Sequence, residues 1–174
     1  ALQSIVARNV APLNSAVITV GTMQGGSRYN IIADEVKMEG TCRNLSFEVR
    51  DSIVERMESI IKGITEGMGG TYEFKYIKGH PPTINDQKMF EIVRDAAADV
   101  VGAENFINLE SADLGGEDFS YFCQEVPAAY YWLCCRDMNK PYYPAHHGAF
   151  APELESLPIG MEVLLTAALK YLAQ

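Results

Sequence analysis

The spacing of apolar residues in the first third of the chain predicts a helix followed by two strands. Leu2, Ile5 and Val6 recur at intervals of three and four residues, as they would on one face of a helix. Residues 16–20 are mostly β-branched and predict a strand. Residues 35–43 alternate between apolar and polar positions, which predicts a second strand with one face in water.

A longer apolar repeat then predicts a second helix and a third strand. Helical spacing runs from Val49 to Met68, and Ser46 precedes it at the position of an N-cap. Aromatic residues alternate with charged ones over residues 72–76, which predicts another strand. The order helix, strand, strand, helix, strand matches the last five elements of a β-α-β-β-α-β ferredoxin-like unit. We therefore expect such a unit without its first strand, in a chain that begins part-way through the fold.

The second half of the chain has an apolar pattern of a different kind. It predicts a helix over residues 89–101, a short strand over residues 105–109, and a strand over residues 128–135 that is buried on both faces. Two helices and two strands cannot cover both faces of a sheet, so we expect part of a larger α/β domain. A last helix begins near Pro158, and its predicted inward face comprises Leu164, Ala167, Ala168, Tyr171 and Leu172.

Charge is unevenly distributed along the chain. Residues 1–82 carry 9 basic and 9 acidic side chains, so the net charge of −9 resides entirely in residues 83–174. The change falls beside the turn-forming residues 79–82 and predicts two domains, 1–82 and 83–174. The net negative charge disfavours nucleic-acid binding, and no apolar run is long enough to predict a membrane span.

The four cysteines form no CxxC pair. Cys134 and Cys135 are adjacent, and on a strand their side chains would point to opposite faces, where they could not readily chelate one metal. We therefore expect reduced, mostly buried thiols in a cytoplasmic protein.

Two polar loops hold the residues best suited to chemistry. Residues 111–119 place two glycines and two carboxylates after a predicted strand, although a turn into a capped helix would explain the same residues. Residues 142–150 contain His146 and His147, which are either a surface or hydrogen-bonded pair or the source of a metal ligand. Spacing alone therefore indicates only a candidate metal site.

Four segments occur together in an order that resembles a known enzyme family. They read GGSRYNIIAD from residue 25, EGTCR from residue 39, GGEDF from residue 115 and HHGAF from residue 146. Together they resemble the C-terminal part of the zinc-dependent aminoacylase and carboxypeptidase family of amidohydrolases, in the branch of hippurate hydrolases, N-acyl-amino-acid deacylases and auxin-conjugate hydrolases. The resemblance implies a ferredoxin-like lid or dimerisation domain (residues 1–82) inserted into a dizinc catalytic domain, whose C-terminal segment would be residues 83–174.

The resemblance also implies a metal ligand. In that family a zinc-binding histidine stands four residues before a phenylalanine, and His146 has this relation to Phe150. His147 is then its non-ligating neighbour. The site of the parent enzyme would hold two divalent metal ions. The resemblance favours zinc, and manganese or cobalt are the alternatives because an imidazole binds all three.

The same resemblance places four further residues at the substrate, and Arg43 joins them from its place at the end of a predicted strand. Asn30 would hold the substrate or stabilise an oxyanion, with a turn role as the alternative. Arg43 would contact an acidic end of the substrate, with a surface ion pair as the alternative. Gly115, Gly116 and Glu117 would form a loop that cradles the substrate, in which backbone N–H groups approach a carboxylate.

The family's other metal ligands, its bridging aspartate and its glutamate general base lie upstream of the lid and do not occur in this sequence. We therefore expect a fragment with no catalytic base of its own, which is inactive alone and binds metal weakly. The parent enzyme would hydrolyse the amide bond of N-acyl amino acids or small peptide-like conjugates, and would form homodimers through its lid. A non-catalytic dimerisation or interaction module is the alternative.

Overall fold

The computed structural model describes all 174 residues and confirms the mixed α/β class, with a single sheet of two strands. In chain order the elements are helix α1 (Gln3–Asn9), strands β1 (Ala16–Gly25) and β2 (Val36–Asn44), and helices α2 (Phe47–Gly67), α3 (Gln87–Val101), α4 (Phe122–Glu125) and α5 (Ser156–Leu172). Short 3-10 helices span Ala103–Asn105 and Asp118–Tyr121. None of the helices is both long and apolar enough to cross a membrane.

The chain divides into two compact units. The first comprises Ala1–Pro82 with Ala112–Gly116, and the second comprises Thr83–Ser111 with Glu117–Gln174. The loop Ala112–Gly116 therefore packs with the first unit, although its neighbours in sequence belong to the second. The assignment of these units to a lid and a catalytic segment stays a prediction.

The core of the first unit lies where α1, β1 and α2 meet. Ile5 of α1, Ile18 of β1 and Ile53 of α2 form the buried cluster. Helix α2 begins where the sequence predicts, because the Ser46 hydroxyl accepts a hydrogen bond of 3.1 Å from the N–H of Val49. Partly buried side chains complete this core, namely Leu2, Val6, Val10, Ala16, Cys42, Val49, Met57 and Ile60.

Strands β1 and β2 form an antiparallel hairpin. Its register runs from Ala16 opposite Asn44 to Gly25 opposite Val36, with an irregularity between Val20 and Thr22. Beside this irregularity, a Cβ at Gly40 would collide with the backbone carbonyl of Thr19. Glycine is therefore required at position 40 for the two strands to approach each other.

Three predicted strands are absent from the structure. Tyr72, Phe74 and Tyr76 are half-buried in alternation with exposed neighbours, yet residues 71–77 make no ladder to β1 or β2. Residues 105–109 and 128–135 also belong to no sheet, and residues 128–135 are not buried on both faces, since Trp132 is 63% exposed. These predictions were wrong because alternation or an apolar run describes side chains only, whereas a strand also requires a partner for its backbone groups.

Helices α3 and α5 pack together in the second unit. The Asp86 carboxylate caps α3 by accepting a hydrogen bond of 3.0 Å from the N–H of Met89. Gly102 follows the helix with a φ of 88°, which confirms the predicted end. An ion pair of 2.7 Å between Lys170 and Asp99 links the two helices.

The predicted inward face of α5 is largely wrong. Leu164, Tyr171 and Leu172 are 60%, 54% and 79% exposed, whereas Gly160 and Val163 are buried. Because α5 is apolar on all sides, periodicity cannot select its inner face. The small side of the helix packs instead, and a Cβ at Gly160 would lie 2.9 Å from the Leu133 side chain.

The prediction of mostly buried thiols also needs correction. All four cysteines are free, but Cys42, Cys123 and Cys135 are half-buried and Cys134 is exposed. Burial raises the pKa of the Cys42 and Cys123 thiols above the ordinary value, which favours the less reactive protonated form.

Candidate functional site

Arg43 and the Gly115–Gly116 loop meet within the first unit. At the end of β2, Arg43 donates a hydrogen bond of 2.8 Å from Nη1 to the backbone carbonyl of Leu114. The Asp113 carboxylate accepts a hydrogen bond from the N–H of Gly115, which closes a local turn. The Gly116 backbone lies against the His80 ring, since a Cβ at Gly116 would be 3.5 Å from His80 Cδ2. The sequence offered a substrate contact or a surface ion pair for Arg43, and neither includes its hydrogen bond to Leu114.

Asn30 lies apart from that cluster in the connection between β1 and β2. It is exposed, and it occupies the third position of a turn that a hydrogen bond of 3.2 Å closes from the N–H of Ile31 to the carbonyl of Arg28. The turn role that the sequence left open is therefore present.

Glu117 belongs to the second unit, where both of its carboxylate oxygens are engaged. Oε1 accepts a hydrogen bond of 3.0 Å from the N–H of Phe119, so Glu117 caps the following 3-10 helix. Oε2 accepts a hydrogen bond of 2.8 Å from the Tyr130 hydroxyl. The Tyr130 ring packs against Phe119 and Trp132, with ring centroids 5.7 Å apart in both pairs. This carboxylate thus has a defined orientation before any ligand arrives.

Replacing Tyr130 by phenylalanine should lower the free energy of unfolding by about 1 kcal/mol near neutral pH, because the hydroxyl bond to the Glu117 carboxylate is lost. Burial and the hydrogen bond to Glu117 raise the pKa of Tyr130. As the pH rises past about 10, the ordinary tyrosine value, the unfolded chain loses its phenolic proton first. The stabilisation from Tyr130 is therefore complete below that pH and is lost above it.

Urea denaturation of the Tyr130→Phe variant and the wild type between pH 7 and 11 measures this difference. The gap between the two should narrow above pH 10. Tyr171→Phe, which alters an exposed tyrosine on α5 of the same unit, is the matched control and should leave stability nearly unchanged. A gap that stays constant up to pH 11 would exclude the proposed role of the Tyr130 proton.

His146 lies on a strained turn. Its φ is 71°, and it is the only non-glycine residue with positive φ. A hydrogen bond of 3.1 Å from the N–H of His147 to the carbonyl of Pro144 closes the turn, which places His146 at a position that glycine or asparagine usually occupies. Such a backbone conformation costs a non-glycine residue about 1–3 kcal/mol. The His146 side chain is exposed and has no hydrogen-bond partner within the chain.

His147 differs from its neighbour in that its ring is held by local contacts. Its Nδ1 accepts a hydrogen bond of 3.0 Å from the N–H of Ala149, and the ring stacks on Tyr143 with centroids 4.8 Å apart. A neutral imidazole whose Nδ1 accepts a hydrogen bond carries its proton on Nε2, so neither nitrogen offers a lone pair to a metal. This geometry favours His146 over His147 as a ligand.

The chain does not form a complete metal site. No group of three or more His, Cys, Asp or Glu side chains is placed to hold a metal ion. One exposed imidazole can fill one ligand position, whereas a catalytic zinc takes about three protein ligands and a water. The residues present therefore do not fit a pair of metal ions by themselves.

Three residues of these local networks were not singled out in the sequence. Tyr130 was interpreted only as part of an apolar strand, although a tyrosine in an apolar run signals a hydroxyl that needs a partner. Asp113, two residues before Gly115, carries an Asx-turn signal. Tyr143 had no signal, because its contact with His147 depends on the backbone of two successive turns.

Comparison with known proteins identifies the family. Residues 6–170 match the model of peptidase family M20/M25/M40. The chain belongs to this family. The match covers nearly the whole chain and confirms the resemblance drawn from the four sequence segments.

Individual members of the M20/M25/M40 family show the same relationship over part of their length. The chain is 35% identical over 165 residues to an N-acetyldiaminopimelate deacetylase of Geobacillus sp. (strain WCH70), covering 95% of this chain and 42% of the relative. It is 31% identical over 161 residues to an N-acetylcysteine deacetylase of Bacillus subtilis (strain 168), covering 92% of this chain and 40% of that relative. The crystal structure of Bacillus subtilis YXEP, described as a dinuclear metal-binding peptidase of the M20 family, superposes with a TM-score of 0.73 at 25% identity over 99% of this chain and 45% of that protein. The chain thus spans less than half the length of these relatives.

Proposed function

We propose that the chain is the C-terminal part of an M20-family amidohydrolase that removes the acyl group from N-acyl amino acids or small peptide-like conjugates. Family membership supports the hydrolase class, and relatives named as deacetylases of N-acetyldiaminopimelate and N-acetylcysteine support a small acylated amino acid as substrate. Coverage of 40–45% of these proteins supports a longer parent that supplies the remaining half of the site.

The exposed His146 imidazole on its strained turn is the observation that carries this proposal. A residue held at a φ of 71° at a backbone cost is typical of a functional constraint, and this residue stands four positions before Phe150 as in the resembling family. Its free imidazole would give one ligand to a metal centre. The hydrogen bond that His147 Nδ1 accepts from Ala149 supports the choice between the two histidines.

The parent enzyme would use two divalent metal ions, zinc before manganese or cobalt. The description of YXEP as a dinuclear metal-binding peptidase supports this assignment. Bound metal would polarise the amide carbonyl and activate a water. The other ligands and the general base for that chemistry would come from the preceding part of the parent enzyme, so this chain should be inactive alone and bind metal weakly.

The substrate-binding residues in this chain would be Asn30, Arg43, Gly115, Gly116 and Glu117. The hydrogen bond from Arg43 to Leu114 supports a joint role for Arg43 and the glycine loop. A guanidinium has five N–H donors, so those not used on Leu114 can pair with a substrate carboxylate. The oriented Glu117 carboxylate would attract a positively charged group of the substrate rather than its carboxylate.

A hydrolysis assay tests this proposal. A protein that contains this chain and the preceding half of the family fold should release acetate from N-acetyl amino acids, lose this activity on dialysis against a chelator, and recover it with Zn²⁺, Mn²⁺ or Co²⁺. The 174-residue chain under the same conditions should show no release above background. Release by this chain alone, or full activity of the longer protein after chelation, would contradict the proposed metal-dependent function.

The first unit would also mediate a homodimer, in a reducing compartment such as the cytoplasm. Strands β1 and β2 pair only with each other, so each has one edge free to pair with another subunit. Four free thiols support the compartment. The same open edges favour the alternative of a non-catalytic interaction module. That alternative predicts dimerisation by light scattering together with no hydrolysis by the longer protein.

A further inference from the structure

The positive φ of His146 requires contacts that hold the backbone in this conformation. A histidine in an exposed turn would relax to negative φ unless neighbouring contacts disfavoured the relaxed form. The His146 side chain makes no hydrogen bond within the chain that could do this. The constraint must therefore come from its neighbours.

His147 makes three hydrogen bonds around His146 that bear on that constraint. Its N–H donates to the carbonyl of Pro144 at 3.1 Å and closes the turn that contains His146. Its carbonyl accepts from the N–H of Phe150 at 2.9 Å and closes the next turn. Its Nδ1 accepts from the N–H of Ala149 at 3.0 Å, so the side chain is fixed to the second turn as well.

Tyr143 fixes the plane of the His147 ring. The two rings stack with an interplanar angle of 20° and a centroid distance of 4.8 Å. Because Tyr143 precedes the first turn and His147 ends it, the stack brings together the two ends of the segment that contains His146. Without either ring, the stack would be lost and the hydrogen bond from the N–H of His147 to the carbonyl of Pro144 would remain to close the turn.

We propose that Tyr143 and His147 are positioning residues that hold His146 in its left-handed conformation, so that its imidazole is directed outward before a metal ion is present. The use of this conformation for metal binding rests on the proposed function, whereas the effect of the two rings on the φ of His146 does not. The rings act on the backbone of His146, and neither is a ligand.

The test is a solution NMR measurement on the 174-residue chain without metal. The one-bond coupling between Cα and Hα of His146, with residual dipolar couplings, distinguishes positive from negative φ. In Tyr143→Leu and in His147→Ala, His146 should shift to predominantly negative φ. Tyr143→Phe, which retains the stacked ring, should keep the wild-type coupling.

Tyr142→Leu is the matched control, because Tyr142 is the adjacent tyrosine and contacts Arg136 rather than His147. It should leave the His146 coupling unchanged. The amide signals of Ile92 and Ala96, buried in the same unit, report whether each variant is folded. If one disruptive variant fails to fold, the other and His147→Asn, which keeps an acceptor but no stacking ring, still give the comparison, with a shift expected in each.

Retention of positive φ at His146 in a folded Tyr143→Leu, His147→Ala or His147→Asn variant would overturn the proposal, as would an equal shift in Tyr142→Leu. Failure of the deacylase function would appear only in the hydrolysis assay of the longer protein. The two failures are therefore distinguishable.

Discussion

Replacing His146 by glycine in the longer protein should lower kcat/KM for N-acetyl amino acids by at least about 100-fold, because loss of a ligand should cost no less than the roughly 10–100-fold lost with outer-shell partners. The same substitution should not destabilise the fold. Glycine adopts a φ of 71° without the steric cost that histidine bears, so the turn from Pro144 to His147 is retained. Activity and stability should thus change independently.

Steady-state kinetics and bound-metal content after dialysis measure the first effect, and urea denaturation measures the second. Lys140→Ala, six residues before His146, is the control, since the exposed ion pair of Lys140 with Glu153 contributes little. His146→Gly with more than a tenth of wild-type kcat/KM would contradict the ligand role. A loss of activity that merely follows a loss of stability would assign His146 to the fold instead.

Replacing Ile53 by alanine should lower the free energy of unfolding of the first unit by about 2–5 kcal/mol. Ile53 is 1% exposed and packs with Ile5 and Ile18 where two helices meet the sheet. Its truncation removes buried apolar surface and leaves a cavity that three different elements would have to move to fill. This is a large share of the stability of an ordinary domain.

Amide hydrogen exchange of β1 and β2, measured as the denaturant concentration is raised, reports the stability of this unit, since both strands pair within it. Ile64→Ala on the same helix is the matched control because Ile64 is 48% exposed. Its cost should be below about 1 kcal/mol. Equal effects of the two substitutions would mean that α2 does not pack on the sheet through Ile53.

The sequence predicts an element well where the element and its packing partner leave separate signals. Helix α2 has a cap at Ser46 and an apolar repeat. Strand β2 alternates between apolar and polar residues, and it pairs with β1, which begins with β-branched residues. Residues 72–76 and 128–135 carry equally clear apolar signals, yet neither forms a strand because no backbone partner pairs with it. The pattern of apolar side chains leaves the pairing of the backbone undetermined.

The candidate site was predictable only where residues act through local motifs. The family resemblance singles out His146 by its place four residues before Phe150, but the φ of 71° at His146 is not encoded by its residue type. The bond from Arg43 to Leu114 joins residues 71 positions apart, which no local pattern reveals. Helix α5 has apolar residues on every side, so the sequence does not indicate which face of the helix is buried.

Anomalous diffraction at the zinc absorption edge from crystals of the longer protein grown with Zn²⁺ tests the metal role of His146 most directly. The expected result is an anomalous peak with a ring nitrogen of His146 at about 2.0–2.1 Å, the usual zinc–histidine distance. His147 should remain stacked on Tyr143 and should not contact the metal. Zinc bound without a nitrogen of His146, or bound through His147 in its place, would contradict the assignment.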